Sequence, residues 1–142
     1  MNEVANTGRP IGRSLGISNV SVEQLAQLME EGGGAKPAFV QNRCYARAGW
    51  DRDVRALCGQ HSIVYQDFSL LTANQRELGA PAIAAIAKKT GRTVAQAIFR
   101  FALQLGMIPL TGTSSAAHMR EDLACFDFEL SEADVTTIER GR

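Results

Sequence analysis

The chain has 142 residues, of which 45% are hydrophobic and 21% are charged, and its 15 basic residues balance its 15 acidic ones. This composition indicates one globular domain, residues 1–142, and argues against an intrinsically disordered chain. The balanced charge gives no broad electrostatic reason to bind nucleic acid or an anionic membrane. We therefore expect neither of these partners.

The predicted location follows from what the sequence lacks. No run of about 18 apolar residues is present for a membrane span, and residues 1–10 contain no apolar segment of a secretion signal. The three cysteines, Cys44, Cys58 and Cys125, are odd in number and widely spaced. That pattern fits reduced thiols better than a disulfide framework or a zinc site. We expect a cytoplasmic protein without a bound metal.

The first elements of the chain alternate between short apolar strands and amphipathic helices. The strands predicted here are Leu15–Ile17, Ala38–Val40 and Ile63–Phe68. The first strand stops on Ser18 and Asn19, and the second stops on Gln41 and Asn42. A helix follows each of these two strands, and the first helix runs from a Ser-x-x-Gln capping box to the glycines at 32–34.

The rest of the chain continues the same alternation. Two helices are predicted, one over residues 81–89 and one from a Thr-x-x-Gln capping box at residues 93–96. The last strand is predicted over residues 107–110. After it, the sequence TGTSS at 111–115 opens a helix and offers backbone N–H groups and hydroxyls to an anion. Ser131 is the predicted cap of a final short helix.

A strand followed by a helix, four times over, is typical of a parallel sheet with helical crossovers. Ile17, Val40 and Val64 lie 23 and 24 residues apart, which is a typical length for one βα unit. A doubly wound sheet would carry a Gly-rich phosphate loop after its first strand, whereas each strand here ends on polar residues. We therefore predict an α/β fold of the barrel type, in which groups at the C-terminal strand ends converge on one site.

Four stretches of the chain, GISN, KPAFVQN, HSIVYQDFS and PLTGTSSAAHMREDL, resemble the C-terminal half of an aldo-keto reductase, in the order of that family. The resemblance extends from about Gly8 to Leu130. It implies that the four strands are strands five to eight of the family's barrel, so that the chain forms the (βα)4 half of a TIM-type (βα)8 barrel. It also implies that the family's catalytic tyrosine, lysine, aspartate and histidine belong to the other half, and it assigns this chain no catalytic residue.

The resemblance further implies a nicotinamide nucleotide, NADP or NAD, at the C-terminal ends of the strands. The cofactor-binding residues that it implies are Ser18, Asn19, Gln41, Phe68, Ser69, Leu71, Gly112, Thr113, Ser114, His118, Glu121 and Asp122. The first three would bind the carboxamide and Phe68 would stack on the ring; residues 112–114 would follow the phosphates, and residues 121 and 122 would lie near the adenine. His118 and Gly112 stand where many members have an arginine and a lysine, so the choice between NADP and NAD stays open.

Each of these patterns also has an interpretation without a ligand. A polar pair after a strand is by itself an ordinary turn or cap, an aromatic residue such as Phe68 is by itself a core residue, and residues 113–115 are by themselves a helix cap. Asp67 is costly at the end of a buried strand unless it is paired or close to solvent. It marks either a water-filled mouth or a contact with Arg43. Tyr45, with Arg43 or Arg47 beside it, is the residue best placed to donate a proton.

A half barrel leaves its first and last strands unpaired and its inner face open to water. A second copy related by a twofold axis would close an eight-stranded barrel, and a complementary N-terminal half would close it as a heterodimer. Three functions stay open. We rank first a module that binds a nicotinamide nucleotide or another small-molecule ligand. The alternatives are a carbonyl oxidoreductase completed by a partner half, and a folded fragment without a selected activity.

Overall fold

A computed structural model describes residues 13–31, 33 and 36–141 of the chain. The strands are β1 (Gly16–Ser18), β2 (Phe39–Arg43), β3 (Val64–Phe68) and β4 (Ile108–Leu110). The helices are α1 (Val22–Glu31), α2 (Arg52–Gln60), α3 (Gln75–Leu78), α4 (Pro81–Thr90), α5 (Val94–Gln104), α6 (Ala116–Leu123) and α7 (Glu132–Arg140). Single 3₁₀ turns lie at Ala46–Ala48 and Ala124–Phe126. The predictions for residues 1–10 and for Gly32 and Gly34, at the end of the first helix, lie outside the described residues.

The four strands form one parallel sheet in the order β1-β2-β3-β4, which confirms the predicted α/β fold of parallel strands with helices. The register places Ser18 beside Gln41, Gln41 beside Gln66, and Gln66 beside Ile108. This row crosses the whole sheet. Because all four strands run parallel, their C-terminal ends lie at the same end of the sheet.

Alternation along the strands separates a helix-covered face from an open face. In β2 and β3, Val40 and Tyr65 are buried in the core with α-helical side chains such as Leu25, Ile98 and Phe101. Their sequence neighbours point to the opposite face. There, Phe39, Val64, Ile108 and Leu110 are 36%, 36%, 44% and 37% exposed. The described chain therefore exposes four apolar side chains on its inner face, together with the polar row of Ser18, Gln41 and Gln66.

The predicted helix starts are confirmed by their hydrogen bonds. Gln24 N–H donates to Ser21 Oγ at 3.2 Å, and Ser21 N–H donates to Gln24 Oε1 at 2.9 Å. The box at residues 93–96 has the same reciprocal bonds, and Ser131 forms a third box with Asp134. Each cap satisfies backbone donors that the first helical turn leaves free, which is worth about 1 kcal/mol of stability.

Each of the four strands begins one residue later than predicted, and β1 and β2 also end later than predicted. β2 does not stop on Gln41 and Asn42 but continues to Arg43, because the ladder with β3 extends to its last residue, Phe68. β1 begins at Gly16 instead of Leu15, whose side chain is 61% exposed. The single-turn helix α3 was not predicted from the sequence.

The C-terminal helix closes the core beside α2 and α5. Trp50 is only 1% exposed; its indole N–H donates to the carbonyl oxygen of Ile138 at 3.2 Å, and its ring meets Phe101 edge-on at a centroid distance of 5.0 Å. In the described part of the chain, no helix combines the length and the apolar composition that a bilayer span requires.

Candidate functional site

An open cavity of about 720 Å³ lies at the C-terminal ends of β1, β2 and β3. Its lining residues are Asn19, Val20, Ser21, Gln24, Asn42, Arg43, Tyr45, Asp51 and Phe68. Two of them, Asn19 and Phe68, are residues that the sequence analysis assigned to a nicotinamide ring. The volume falls in the range of small-molecule sites, which is about 300–1,000 Å³.

The wall formed by the β1–α1 turn is held by one buried side chain, Asn42. Its Oδ1 accepts from Val20 N–H at 3.0 Å, and its Nδ2 donates to the Val20 carbonyl at 2.8 Å. Asn19, just before this turn residue, has a left-handed backbone (φ 54°), and its N–H donates to the Gln41 carbonyl at 3.0 Å. The polar residues after the first two strands therefore fix the position of the turn.

The floor of the cavity is a buried hydrogen-bond cluster around Asp51. Asp51 Oδ2 accepts from Asn42 Nδ2 at 2.7 Å and from the Tyr65 hydroxyl at 2.6 Å. Burial, followed by the hydrogen bond to Asp51, raises the pKa of Tyr65, so this phenol stays protonated and acts as a donor. This cluster was not predicted from the sequence. A buried tyrosine hydroxyl in β3 was the one available signal, because such a group needs a partner.

The half-buried Phe68 lies at the other side of the cavity, at the end of β3. On the neighbouring strand the register pairs it with Arg43, whose Cζ atom lies 5.3 Å from the centre of the Phe68 ring. One layer below, Gln41 Nε2 donates to Gln66 Oε1 at 3.3 Å. A polar row thus lies beneath the aromatic ring.

Tyr45 follows β2 and lines the same cavity. The sequence left open whether Arg43 or Arg47 would lie beside it. Arg47 has its guanidinium 4.8 Å from the centre of the Tyr45 ring, whereas Arg43 is stacked on Phe68. No lysine is among the residues that line this cavity.

The segment after β4 forms a separate group of candidate residues, outside the lining of this cavity. Ser115 is the N-cap of α6 and accepts from His118 N–H at 3.3 Å, while Thr113 Oγ1 accepts from Ser115 N–H at 3.1 Å. Gly112, Ser114 and the His118 side chain are exposed. The start of α6 is thus a capped helix terminus with exposed residues on both sides.

The other predicted residues have these places. Glu121 accepts at its backbone carbonyl from Gln96 Nε2 at 2.9 Å, and Asp122 accepts from Thr111 Oγ1 at 3.3 Å. Ser18 is exposed, and the register of β1 and β2 pairs it with Gln41. Ser69 has a left-handed backbone (φ 58°), and Leu71 is half-buried against the core.

Asp67 faces the helix-covered side of the sheet, not the cavity. It is completely buried, and neither carboxylate oxygen has a hydrogen-bond partner among the described residues. Burial raises its pKa to about 7, although the positive charge of Arg55 opposes this shift. Both sequence-based interpretations of Asp67 are therefore wrong, since it marks no mouth and does not contact Arg43.

In the described part of the chain, no group of three His, Cys, Asp or Glu residues is arranged to hold a metal ion. The three cysteines are free and buried. Burial raises the pKa of Cys44 to about 12 and that of Cys58 to about 11, so both thiols stay protonated.

Comparison with known proteins identifies the fold and the family. The model of the "Aldo/keto reductase family" matches residues 11–141. The chain belongs to the aldo/keto reductase family. An aldo-keto reductase from Mycolicibacterium paratuberculosis is 32% identical to it over 127 residues, which are 89% of this chain and 43% of that protein.

Solved aldo-keto reductase structures have the same arrangement of strands and helices. A Gox0644 variant in complex with NADPH matches with a TM-score of 0.79 and 30% identity, over 90% of this chain and 46% of that one. The aldo-keto reductase AKR2E5 of the silkworm Bombyx mori, complexed with NADPH, matches with a TM-score of 0.76 and 26% identity, over 90% of this chain and 42% of that one.

These matches confirm the predicted family and the half-barrel fold. The chain spans less than half the length of the aldo-keto reductases that it matches, in sequence and in structure. It therefore contains about half of the elements of this family's barrel. The roles predicted for the individual cofactor-binding residues stay predictions.

Proposed function

We propose that this aldo/keto reductase chain binds a nicotinamide nucleotide, NADP(H) or NAD(H), at the C-terminal ends of its strands. The observation that carries the proposal is the cavity with Asn19 on one side and Phe68 on the other. Homologous aldo-keto reductase structures that contain NADPH support the choice of ligand. Any other small ligand for this site must also combine a flat ring with polar groups.

The nicotinamide end of the nucleotide fits the chemistry of this cavity. The Phe68 ring offers a stacking surface, and base–aromatic stacking is worth about 1–3 kcal/mol. Ser18, Asn19 and Gln41 offer hydroxyl and amide groups to a carboxamide, which has both a donor and an acceptor. Gln41 either exchanges its hydrogen bond to Gln66 for one to the ligand, or keeps that bond and binds the ligand through its Oε1 atom and its second Nε2 hydrogen.

The phosphates fit the segment between β4 and α6. Its exposed Gly112 and Ser114 precede a helix of eight residues whose first turn is capped by Ser115. The N-terminal end of a helix attracts anions through its free N–H groups and its dipole. His118 lies in the first turn of α6, where it would meet the 2′-phosphate of NADP.

A titration with NADPH and with NADH, followed by nucleotide fluorescence, tests the proposal. Phe68→Ala should weaken the binding of both by about 1–3 kcal/mol, the contribution of a stacked aromatic ring. Phe128→Ala is the matched control, because Phe128 is also a half-buried ring with an arginine, Arg92, over it and does not line the cavity. Equal affinities in the wild type and the Phe68 variant would contradict the proposal. The polar residues at the strand ends would then be turn and cap residues only, and Phe68 would be a core residue.

Catalysis is the second candidate function, and family membership favours it. We propose that carbonyl reduction requires a partner half, because Tyr45 is the one tyrosine in the cavity and no lysine lines it. The chain alone should therefore oxidise NADPH with simple aldehydes or ketones only at rates far below those usual for enzymes. Steady aldehyde-dependent turnover that is lost in Tyr45→Phe would overturn this part of the proposal. A chain that neither binds nor reacts would be the folded fragment without a selected activity.

We also propose that a second copy of the chain covers the open inner face. Phe39, Val64, Ile108 and Leu110 on that face are apolar and exposed, and β1 and β4 each have one paired neighbour in the described sheet. A twofold axis would pair β4 of each copy with β1 of the other and close eight strands. Light scattering should give the mass of a dimer at micromolar concentration; the mass of a monomer would leave a complementary N-terminal half as the partner.

The proposed location is the cytoplasm, where the three thiols stay reduced.

A further inference from the structure

The Phe68 ring has a positive charge beside it. The register of β2 and β3 pairs Arg43 with Phe68 on the open face of the sheet, and the guanidinium lies 5.3 Å from the ring centre. Both residues line the cavity. Because the backbone register sets this pairing, the charge stays within reach of the ring even when the guanidinium moves aside for a ligand.

On the same face of the sheet, the part of the chain that the structure describes places no negative group beside this charge. The other neighbour of Phe68 in the sheet is Leu110, and the layer below is formed by Gln41 and Gln66. Among the described residues Arg43 takes part in no salt bridge. The carboxylate of the cavity, Asp51, accepts hydrogen bonds from Asn42 and Tyr65, whose side chains lie on the helix-covered side.

The two redox forms of a nicotinamide nucleotide differ in charge at this ring. The oxidised ring carries a formal positive charge and the reduced ring carries none, while the phosphates, sugars and adenine are the same in both. Any attraction between Arg43 and the phosphates therefore cancels when the two forms are compared. The repulsion between the guanidinium and the charged ring does not cancel.

We propose that Arg43 determines the redox-state specificity of the site, so that its charge weakens the binding of the oxidised nucleotide relative to that of the reduced one. The proposal rests on the proposed nucleotide binding and adds a direction to it. Arg43 acts as a specificity residue and not as a catalytic one, because it neither gives nor takes a proton or a hydride. A site of this kind favours the release of oxidised cofactor after a reduction.

The size of the effect follows from the separation of the two charges. Unit charges about 7 Å apart, with screening between that of water and that of a protein surface, correspond to roughly a 3-fold to 50-fold change in affinity. Arg43 is exposed and the cavity is open, so solvent screening favours the lower part of this range, about 3-fold to 10-fold.

Isothermal titration calorimetry with NADPH and with NADP+ tests the proposal on the full chain. The measured quantity is the ratio of the two dissociation constants, oxidised over reduced. It should fall by about 3-fold to 10-fold in Arg43→Gln and stay near the wild-type value in Arg43→Lys, which keeps the charge. Raising the ionic strength should lower the wild-type ratio and leave that of Arg43→Gln almost unchanged.

Arg92→Gln is the matched control, because Arg92 stacks on Phe128 at 5.0 Å but does not line the cavity. Its ratio should equal that of the wild type. If Arg43→Gln binds both forms with the wild-type ratio, the inference is wrong and the nucleotide site stands. If the wild type binds neither form, the proposed function fails and this inference fails with it. Circular dichroism of each variant shows that the fold is retained, and Arg43→Met replaces any glutamine variant that does not fold.

Discussion

The buried carboxyl group of Asp67 should make the stability of the chain fall as the pH rises. Burial raises its pKa in the folded chain to about 7, whereas an aspartate in an unfolded chain titrates near 3.9. Between these two values the folded state holds a proton that the unfolded state has released. The contribution of Asp67 to stability is therefore largest in acid, and it decreases until the pH passes the folded pKa.

The size of this loss can be worked out from the pKa. Each pKa unit corresponds to 1.36 kcal/mol, so a rise from pH 5 to pH 8, which crosses a folded pKa of about 7, costs about 2–3 kcal/mol. Neither carboxylate oxygen of Asp67 has a hydrogen-bond partner among the described residues, and the charge of Arg55 offsets only part of the cost of burial. This is a large share of the 5–15 kcal/mol that stabilises a typical domain.

Asp67→Asn removes the titrating group and keeps its shape. Urea unfolding followed by circular dichroism at pH 5, 6, 7 and 8 should show that the variant gains about 2–3 kcal/mol relative to the wild type between the lowest and highest pH. Asp127→Asn makes the same chemical change at an exposed position and should change stability by less than about 0.5 kcal/mol at every pH. A constant difference between Asp67→Asn and the wild type across this range would refute the reasoning.

Three further substitutions have expected results. Asn42→Ala should lower the free energy of unfolding by roughly 2–4 kcal/mol in urea denaturation, because it leaves buried backbone groups of Val20 without partners and removes one of the two hydrogen bonds that Asp51 accepts. Gly112→Lys should tighten NADPH binding by about 0.5–1 kcal/mol in a fluorescence titration, because it adds a positive charge near the phosphates. The side chain has room, since an added Cβ meets no atom within 4 Å. Unchanged affinity would show that this loop does not contact the phosphates. His118→Arg should favour NADPH over NADH by about 1.5–3 kcal/mol, the range of a charge-assisted hydrogen bond to the 2′-phosphate; equal gains for both nucleotides would contradict this.

The elements that the sequence predicted well are those encoded by neighbouring residues. The capping boxes that begin at Ser21, Thr93 and Ser131 lie within four residues each, so their patterns are complete in the sequence. The alternation within β3 also places Asp67 on the same face as the buried Tyr65. That signal was available, and it favours the helix-covered side over a water-filled mouth.

Contacts between elements could not be predicted in the same way. Asn42 was interpreted as a polar strand end, but its bonds to Val20 cross 22 residues of sequence and depend on how β1 and β2 are placed. The pairing of Arg43 with Phe68 depends on the strand register, which no local pattern contains. The polar strand ends marked the position of the cavity, and the tertiary structure decided which of them line it and which support it.

The bond between Trp50 and Ile138 has a consequence for the order of events during synthesis. The indole belongs to the second βα unit, and the carbonyl that accepts its proton is 88 residues further along the chain. While a ribosome makes this protein, Trp50 leaves the exit tunnel long before its partner and must wait for α7 to be translated. A nascent chain that stops short of α7 would therefore leave the buried indole N–H of Trp50 without its acceptor, and the core around it is completed only when the last helix has been made.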